Sequence, residues 1–171
     1  MKRTMLTFCL LAGISLIAFS QKFAMVDMEY IMKNIPAYES ANEQLNQVSK
    51  KWQSEVETQM QEVQKMYKNY QTELVFLSDE MKVKREEEIV AKEKAAQDLK
   101  RTYFGPEGEL FKKRQSLMKP IQDEIYAAIQ EISKDKDLSL VFDKSSAMSV
   151  IFASPALDIS DLILGKLGYS K

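Results

Sequence analysis

The sequence predicts an α+β protein: a small β-sheet body carrying a long antiparallel α-helical hairpin arm of coiled-coil character. Three observations predict it. Nearly a hundred residues from Ala37 to about Lys134 are rich in Glu, Gln, Lys and Ala, the composition of long helices. Short segments of strand character flank that stretch, Lys22 to Asp27 before it and Leu138 to Ala153 after it. Strands so far apart can meet only if the helices between them run out and return.

In chain order, the first 20 residues read as a signal peptide. Lys2 and Arg3 supply a positive start, Met5 to Phe19 is a mostly apolar run, and Ala18-Phe19-Ser20 presents small residues where a signal peptidase reads. The apolar run is about fifteen residues, shorter than the roughly 20 needed to span a bilayer. Its removal leaves 151 of 171 residues, enough for one domain. The single cysteine, Cys9, leaves with it, so an exported chain must be held by packing or assembly rather than by disulfides. The charge balance moves from 24 basic against 25 acidic residues to 22 against 25, a net charge of −3. That balance does not suggest a nucleic-acid binder.

KFAMVD, residues 22–27, alternates as a strand, and Asn34-Ile35-Pro36 breaks the chain before a helix begins near Ala37. The apolar positions Leu45, Val48, Trp52, Val56, Met60, Val63, Met66, Tyr70, Leu74 and Leu77 take nine steps over 32 residues, a mean of about 3.56. That spacing lies between a coiled coil and a straight helix, so one narrow stripe faces a partner helix. The stripe fails at Phe76 to Glu80, where Ser78 is an N-cap candidate followed by two acids in a first turn. A second stripe, Leu110, Leu117, Ile121, Ile125, Ala128 and Ile132, follows, with Pro120 as an expected bend. LSLVFD at 138–143 and SVIFA at 149–153 read as a pair of strands around the turn-like Lys144-Ser145-Ser146. Asp158 to Ser160 caps a short helix, Asp161 to Leu167, ended by Gly168.

Both ends of the hairpin must reach the same sheet. A turn at Ser78 gives arms of 41 and 57 residues, whereas a turn at Gly105 gives about 67 and 29. The first is less unequal, so the tip is expected near residue 78. Gly105, Pro106 and Gly108 then lie partway down the return arm as a kink and a flexural point, because proline cannot continue a helix and glycine accepts the dihedrals of a break. A phosphate loop requires a different glycine spacing, a lysine and a preceding strand. The chain thus divides into a signal at 1–20, a body from 21–36 and 136–171, and an arm over 37–135.

No histidine is present, and no cysteine remains after residue 20. Ser-His-Asp and Cys-His nucleophile systems are therefore excluded, and so are the usual zinc ligand sets. Paired carboxylates such as Glu86 to Glu88 remain, but a solvated helix gives them no means of shifting pKa. The expectation is a non-enzyme without cofactor or metal.

The segments KFAMVDMEYIMKNIPAY, LVFD and DISDLILGKLG, with the signal and the charged helical middle between them, resemble the Skp/OmpH family of periplasmic chaperones. The resemblance covers the whole mature chain. It implies a homotrimer whose strands build a central body and whose arms enclose a cavity for unfolded outer-membrane proteins, held without ATP in the periplasm. It carries no catalytic residues. Lipopolysaccharide contact, implied for basic members, finds here only Lys82, Lys84 and Arg85, followed at once by Glu86, Glu87 and Glu88. The acidic balance argues against membrane contact.

Three short strands from one chain bury little apolar surface. Phe23, Val26, Ile31, Leu140, Phe142, Val150, Phe152, Leu162 and Leu167 are therefore expected to form a core shared among subunits. Trp52, Met60, Met66, Tyr67, Tyr70, Phe76 and Met81 are the candidates for client contact, since Met and aromatic side chains adapt to varied partners. The bland reading of each is a residue zipping the two helices together. A holdase, a passive coiled-coil structural or adaptor protein of the envelope, and an enzyme stand in that order of expectation.

Overall fold

The computed structural model describes residues 22–146 and 150–169. The residues read as a signal peptide lie outside them. No helix among the described residues is long and apolar enough to cross a membrane. The elements in order are β1 (Lys22–Val26), α1 (Met28–Lys33), α2 (Pro36–Glu73), α3 (Asp79–Phe104), α4 (Glu109–Lys136), β2 (Leu138–Asp143), a 3-10 turn (Pro155–Leu157) and α5 (Ser160–Lys166). The chain divides into two compact units, one drawn from the segments up to Ile31 and from Tyr126 onward, the other running Met32–Ile125.

In the first unit β1 and β2 pair in parallel, Phe23 opposite Leu140 and Met25 opposite Phe142. Parallel pairing requires a long crossover, and the helices between the two strands supply it. The other edge of β1 is also taken: Met25 bridges Asp158, and the Ile159 N–H donates to the Met25 carbonyl at 2.9 Å. Ala24, Met25, Val26, Ile31, Ile159, Ile163 and Leu164 are buried here.

One expectation is corrected in this unit. The sheet of the described residues has two strands, and residues 150–153 form none; Ser149 lies outside the described residues. The segment has strand composition, but a strand forms only where another strand satisfies its backbone groups. β2 pairs with β1 on one edge, the remaining edge of β1 goes to Asp158, and residues 150–153 do not join the outer edge of β2. Ile151 and Phe152 are left fully or nearly fully exposed.

The second unit is dominated by the helices α2 and α3. Pro36 opens α2 at a position where its missing N–H removes nothing. The turn spans Leu74 to Ser78, and the Ser78 hydroxyl accepts from the Met81 N–H at 3.3 Å with Asp79 and Glu80 in the first turn. Partners pair symmetrically about this turn, which makes the hairpin antiparallel: Arg85 with Glu73 at 3.5 Å, Lys92 with Glu62 at 2.7 Å, Tyr103 with Glu55 at 2.7 Å. Ala41, Leu45, Val56, Tyr70, Ile89 and Ala96 are buried.

The segment Gly105 to Gly108 interrupts the return path between α3 and α4 and is closed by its own hydrogen bonds. Gly105 N–H donates to the Arg101 carbonyl at 2.8 Å, Gly108 N–H to Gly105 at 2.9 Å, and Lys112 N–H to Gly108 at 3.1 Å. A Cβ at Gly105 would stand 2.4 Å from the Arg101 carbonyl oxygen. One at Gly108 would stand 2.8 Å from the carbonyl oxygens of both Thr102 and Tyr103. Main-chain crowding, rather than an unusual φ, demands glycine at both places.

α4 continues as helix through Pro120, the position of the expected bend. Its stripe Ile121, Ile125, Ala128 and Ile132 is buried. The helix ends at Asp137, whose φ of 56° is a left-handed stop that Asp tolerates better than most residues.

Candidate functional site

The arm candidates separate by exposure. Tyr70 is buried, and its hydroxyl donates to the Glu86 carboxylate across the hairpin. That hydrogen bond, with burial and the negative charge adding to it, pushes the phenol up to about 12. Trp52 is half-buried and stacks on Tyr103, ring centroids 4.8 Å apart and planes 7° from parallel. The Tyr103 hydroxyl donates to Glu55, which raises its pKa for the same reason. Trp52 and Tyr70 therefore serve the seam. Met60 and Met66 are partly buried along it.

Tyr67, Phe76 and Met81 face outward, with Phe76 87% exposed at the tip. Val75, beside it, is equally exposed, and Val83 and Val90 add two more exposed apolar side chains on α3. Sequence reasoning missed these valines. Their spacing of seven residues along α3 was available as a signal, since two turns of a helix return a side chain to nearly the same face.

Of the residues assigned to a shared body core, Val26 and Ile31 are buried within the chain and Leu167 is partly covered. Phe23, Leu140, Phe142, Val150 and Leu162 are close to half exposed, and Phe152 is 84% exposed. An exposed apolar set of this size, three of its members on the two strands and the rest on the segment and helix after them, is a surface suited to another polypeptide.

Beside that sheet lies a polar cluster that the sequence did not reveal. Lys144 Nζ reaches Asp158 at 2.7 Å and Asp27 at 3.5 Å. The Ser160 hydroxyl donates to Asp158 at 2.6 Å and accepts from the Asp27 N–H at 2.8 Å. Asp143 accepts from the Met28 N–H at 3.2 Å and from the Ser145 hydroxyl at 2.7 Å. The Asp158 hydrogen bond raises Lys144 despite a partial loss of water. Burial pushes Asp158 up, but Lys144 and the Ser160 donors outweigh it and hold the carboxyl below its usual range. The cluster ties Lys144 and Asp158 to the end of β1. Every acid in it has a cation or donor, so it is a structural clamp, with no group poised for acid–base chemistry.

Two comparisons bear on this geometry. The family model described as outer membrane protein (OmpH-like) matches residues 22–167. A crystal structure from Caulobacter crescentus CB15, described as OmpH-like and as a candidate outer membrane chaperone, superposes with a TM-score of 0.68 at 15% identity. The match covers 86% of this chain and 83% of that one, so the two share a fold. By sequence the chain has no significant match among curated proteins.

Proposed function

The chain belongs to the OmpH-like family, and from that premise we propose that it is an ATP-independent holdase of the periplasm. It binds unfolded outer-membrane proteins in a cavity between the helical arms of a homotrimer and keeps them from aggregating. The observation that carries the reading is the row of outward-facing apolar side chains on an otherwise charged arm: Tyr67, Phe76 and Met81, with Val75, Val83 and Val90. In a monomeric spacer such residues would be a liability. In a holdase they are the contact surface. Many weak contacts act together, so affinity comes from multivalency rather than from one pocket.

The test is light scattering by a urea-unfolded outer-membrane protein diluted into buffer with and without the mature chain. Suppression at near-stoichiometric trimer is expected. Single alanine changes at Tyr67, Phe76 or Met81 should each have small effects, and the three together should abolish protection. The second reading is a passive coiled-coil spacer of the envelope, favoured by the seam roles of Trp52 and Tyr70. A spacer leaves aggregation unchanged.

A further inference from the structure

An open groove of about 570 Å³ follows the seam of α2 and α3. Val56 and Met60 from α2 and Phe104 from α3 give it an apolar lining. Phe104 is the last residue of α3, held there by the break that begins at Gly105. Its ring meets Tyr103 edge-on at 6.3 Å, and Tyr103 is fixed by its stack on Trp52. The lining is therefore preorganised. Gln53, Gln61 and Gln64, all exposed, line the groove as well. Glu57 and Lys100 add one charge of each sign, so the groove carries no net charge.

We infer that this groove seats an extended, alternately apolar segment of unfolded polypeptide, the pattern of an outer-membrane β-strand. The inference rests on the holdase reading and names where on the arm a client docks. Val56 and Met60 stand four residues apart on a helix, an axial separation of about 6 Å. Alternate side chains of an extended strand lie about 6.7 Å apart, so one apolar residue can cover the partly exposed Met60 while the next reaches the small exposed edge of the otherwise buried Val56. A helix would match that spacing too, but its backbone groups are satisfied internally. An extended chain presents unpaired N–H and C=O groups at its sides. Glutamine alone among the lining side chains offers both a donor and an acceptor, so Gln61 and Gln64 answer either backbone group, while Gln53 already donates to Glu57 at 3.1 Å and offers its oxygen. The charge balance matches a neutral strand and disfavours an anionic lipid or nucleic acid, which needs a net positive surface.

The experiment uses the full mature chain and fluorescence anisotropy. One labelled peptide of about twelve residues, long enough to span the groove when extended, alternates apolar and polar residues. A second has the same composition at helical spacing. The alternating peptide should bind roughly tenfold more tightly. Gln61→Glu with Gln64→Glu removes two donors from the groove and should cut that affinity roughly tenfold. Gln47→Glu with Gln71→Glu changes the charge equally on the same helix, away from the groove, and should leave it unchanged. Equal affinity for the two peptides, or equal effects of the two variant pairs, overturns the groove assignment.

Aggregation suppression on the same samples separates this inference from its premise. A chain that protects clients while the groove variants bind peptide normally remains a holdase without this seat. A chain that fails to protect yet keeps the peptide preference retains the groove as a strand-binding site and loses the holdase reading.

Discussion

The indole of Trp52 and the phenol ring of Tyr103 stack 4.8 Å apart and nearly parallel, joining the outgoing helix of the hairpin to the end of the returning one. The contact sits at the last turn before the break at Gly105, so it closes the hairpin at the end remote from its tip. Trp52→Ala should lower the stability of the helical unit by about 1–3 kcal/mol, the usual range for a lost packed side chain. Tyr103→Phe keeps the stack and loses only the bond to Glu55, so it should be clearly milder. Urea unfolding followed by circular dichroism measures both. Equal losses would assign the stability to the hydrogen bond instead of the rings.

Gly108→Ala alone should destabilise the chain by about 1–3 kcal/mol, because its Cβ would meet two backbone carbonyl oxygens that have no room to yield. Replacing Gly105, Pro106 and Gly108 together should act differently. Alanine favours helix over proline and glycine by roughly 3 and 1 kcal/mol per position, so the break can convert to helix as a whole. Higher helicity, intact subunit association and poorer protection of large clients than of small ones are expected. A stable triple variant that protects both sizes equally rules out flexing at this point.

The clamp at Lys144 sets a pH dependence. Asp158 has a depressed folded pKa, so its contribution is present above the unfolded value near 3.8 and is lost as pH falls through the lower folded value. Lys144 is raised, so its contribution is present below 10.5 and is lost as pH rises through the higher folded value. Both act between about pH 5 and 9. Lys144→Met should therefore lower the thermal midpoint by a constant amount across that window, measured at fixed protein concentration. The difference should shrink in acid as pH falls through the lowered folded value of Asp158, whose carboxyl then no longer needs a cation. A difference that persists undiminished in acid would show that the lysine acts through packing.

Phe142 lies on β2 opposite Met25 and is 46% exposed in the single chain. If its outer face is covered by a second subunit, Phe142→Asp places an unpaired charge in each interface, at a cost of several kcal/mol per site. The variant should keep its helical circular dichroism and lose its trimer mass in multi-angle light scattering. A wild-type chain that is a folded monomer at micromolar concentration would overturn the homotrimer itself.

What the sequence determined by itself is the part of the structure written in local chemistry. The 3.56-residue spacing specifies α2, Ser78 with Asp79 and Glu80 specifies the start of α3, and the glycine-proline cluster specifies an interruption after Phe104. Each depends on residues a few positions apart. The absence of histidine likewise removes whole classes of chemistry from any fold. Tertiary structure alone decided the rest. Tyr67 and Tyr70 are the same residue type three positions apart, yet one is exposed and the other is buried against Glu86, because rotation about the helix axis relative to its neighbour selects which side chain enters the seam. Residues 150–153 have the composition of a strand and form none, although the outer edge of β2 takes no strand among the described residues, because composition does not decide which backbone groups are brought within pairing distance. Lys144, Asp27 and Asp158 meet across 117 and 14 residues of chain, a convergence that no local pattern encodes. Propensity and capping are short-range energies that a sequence displays. Register, edge occupancy and the meeting of distant charges are settled only by the packing of the whole chain.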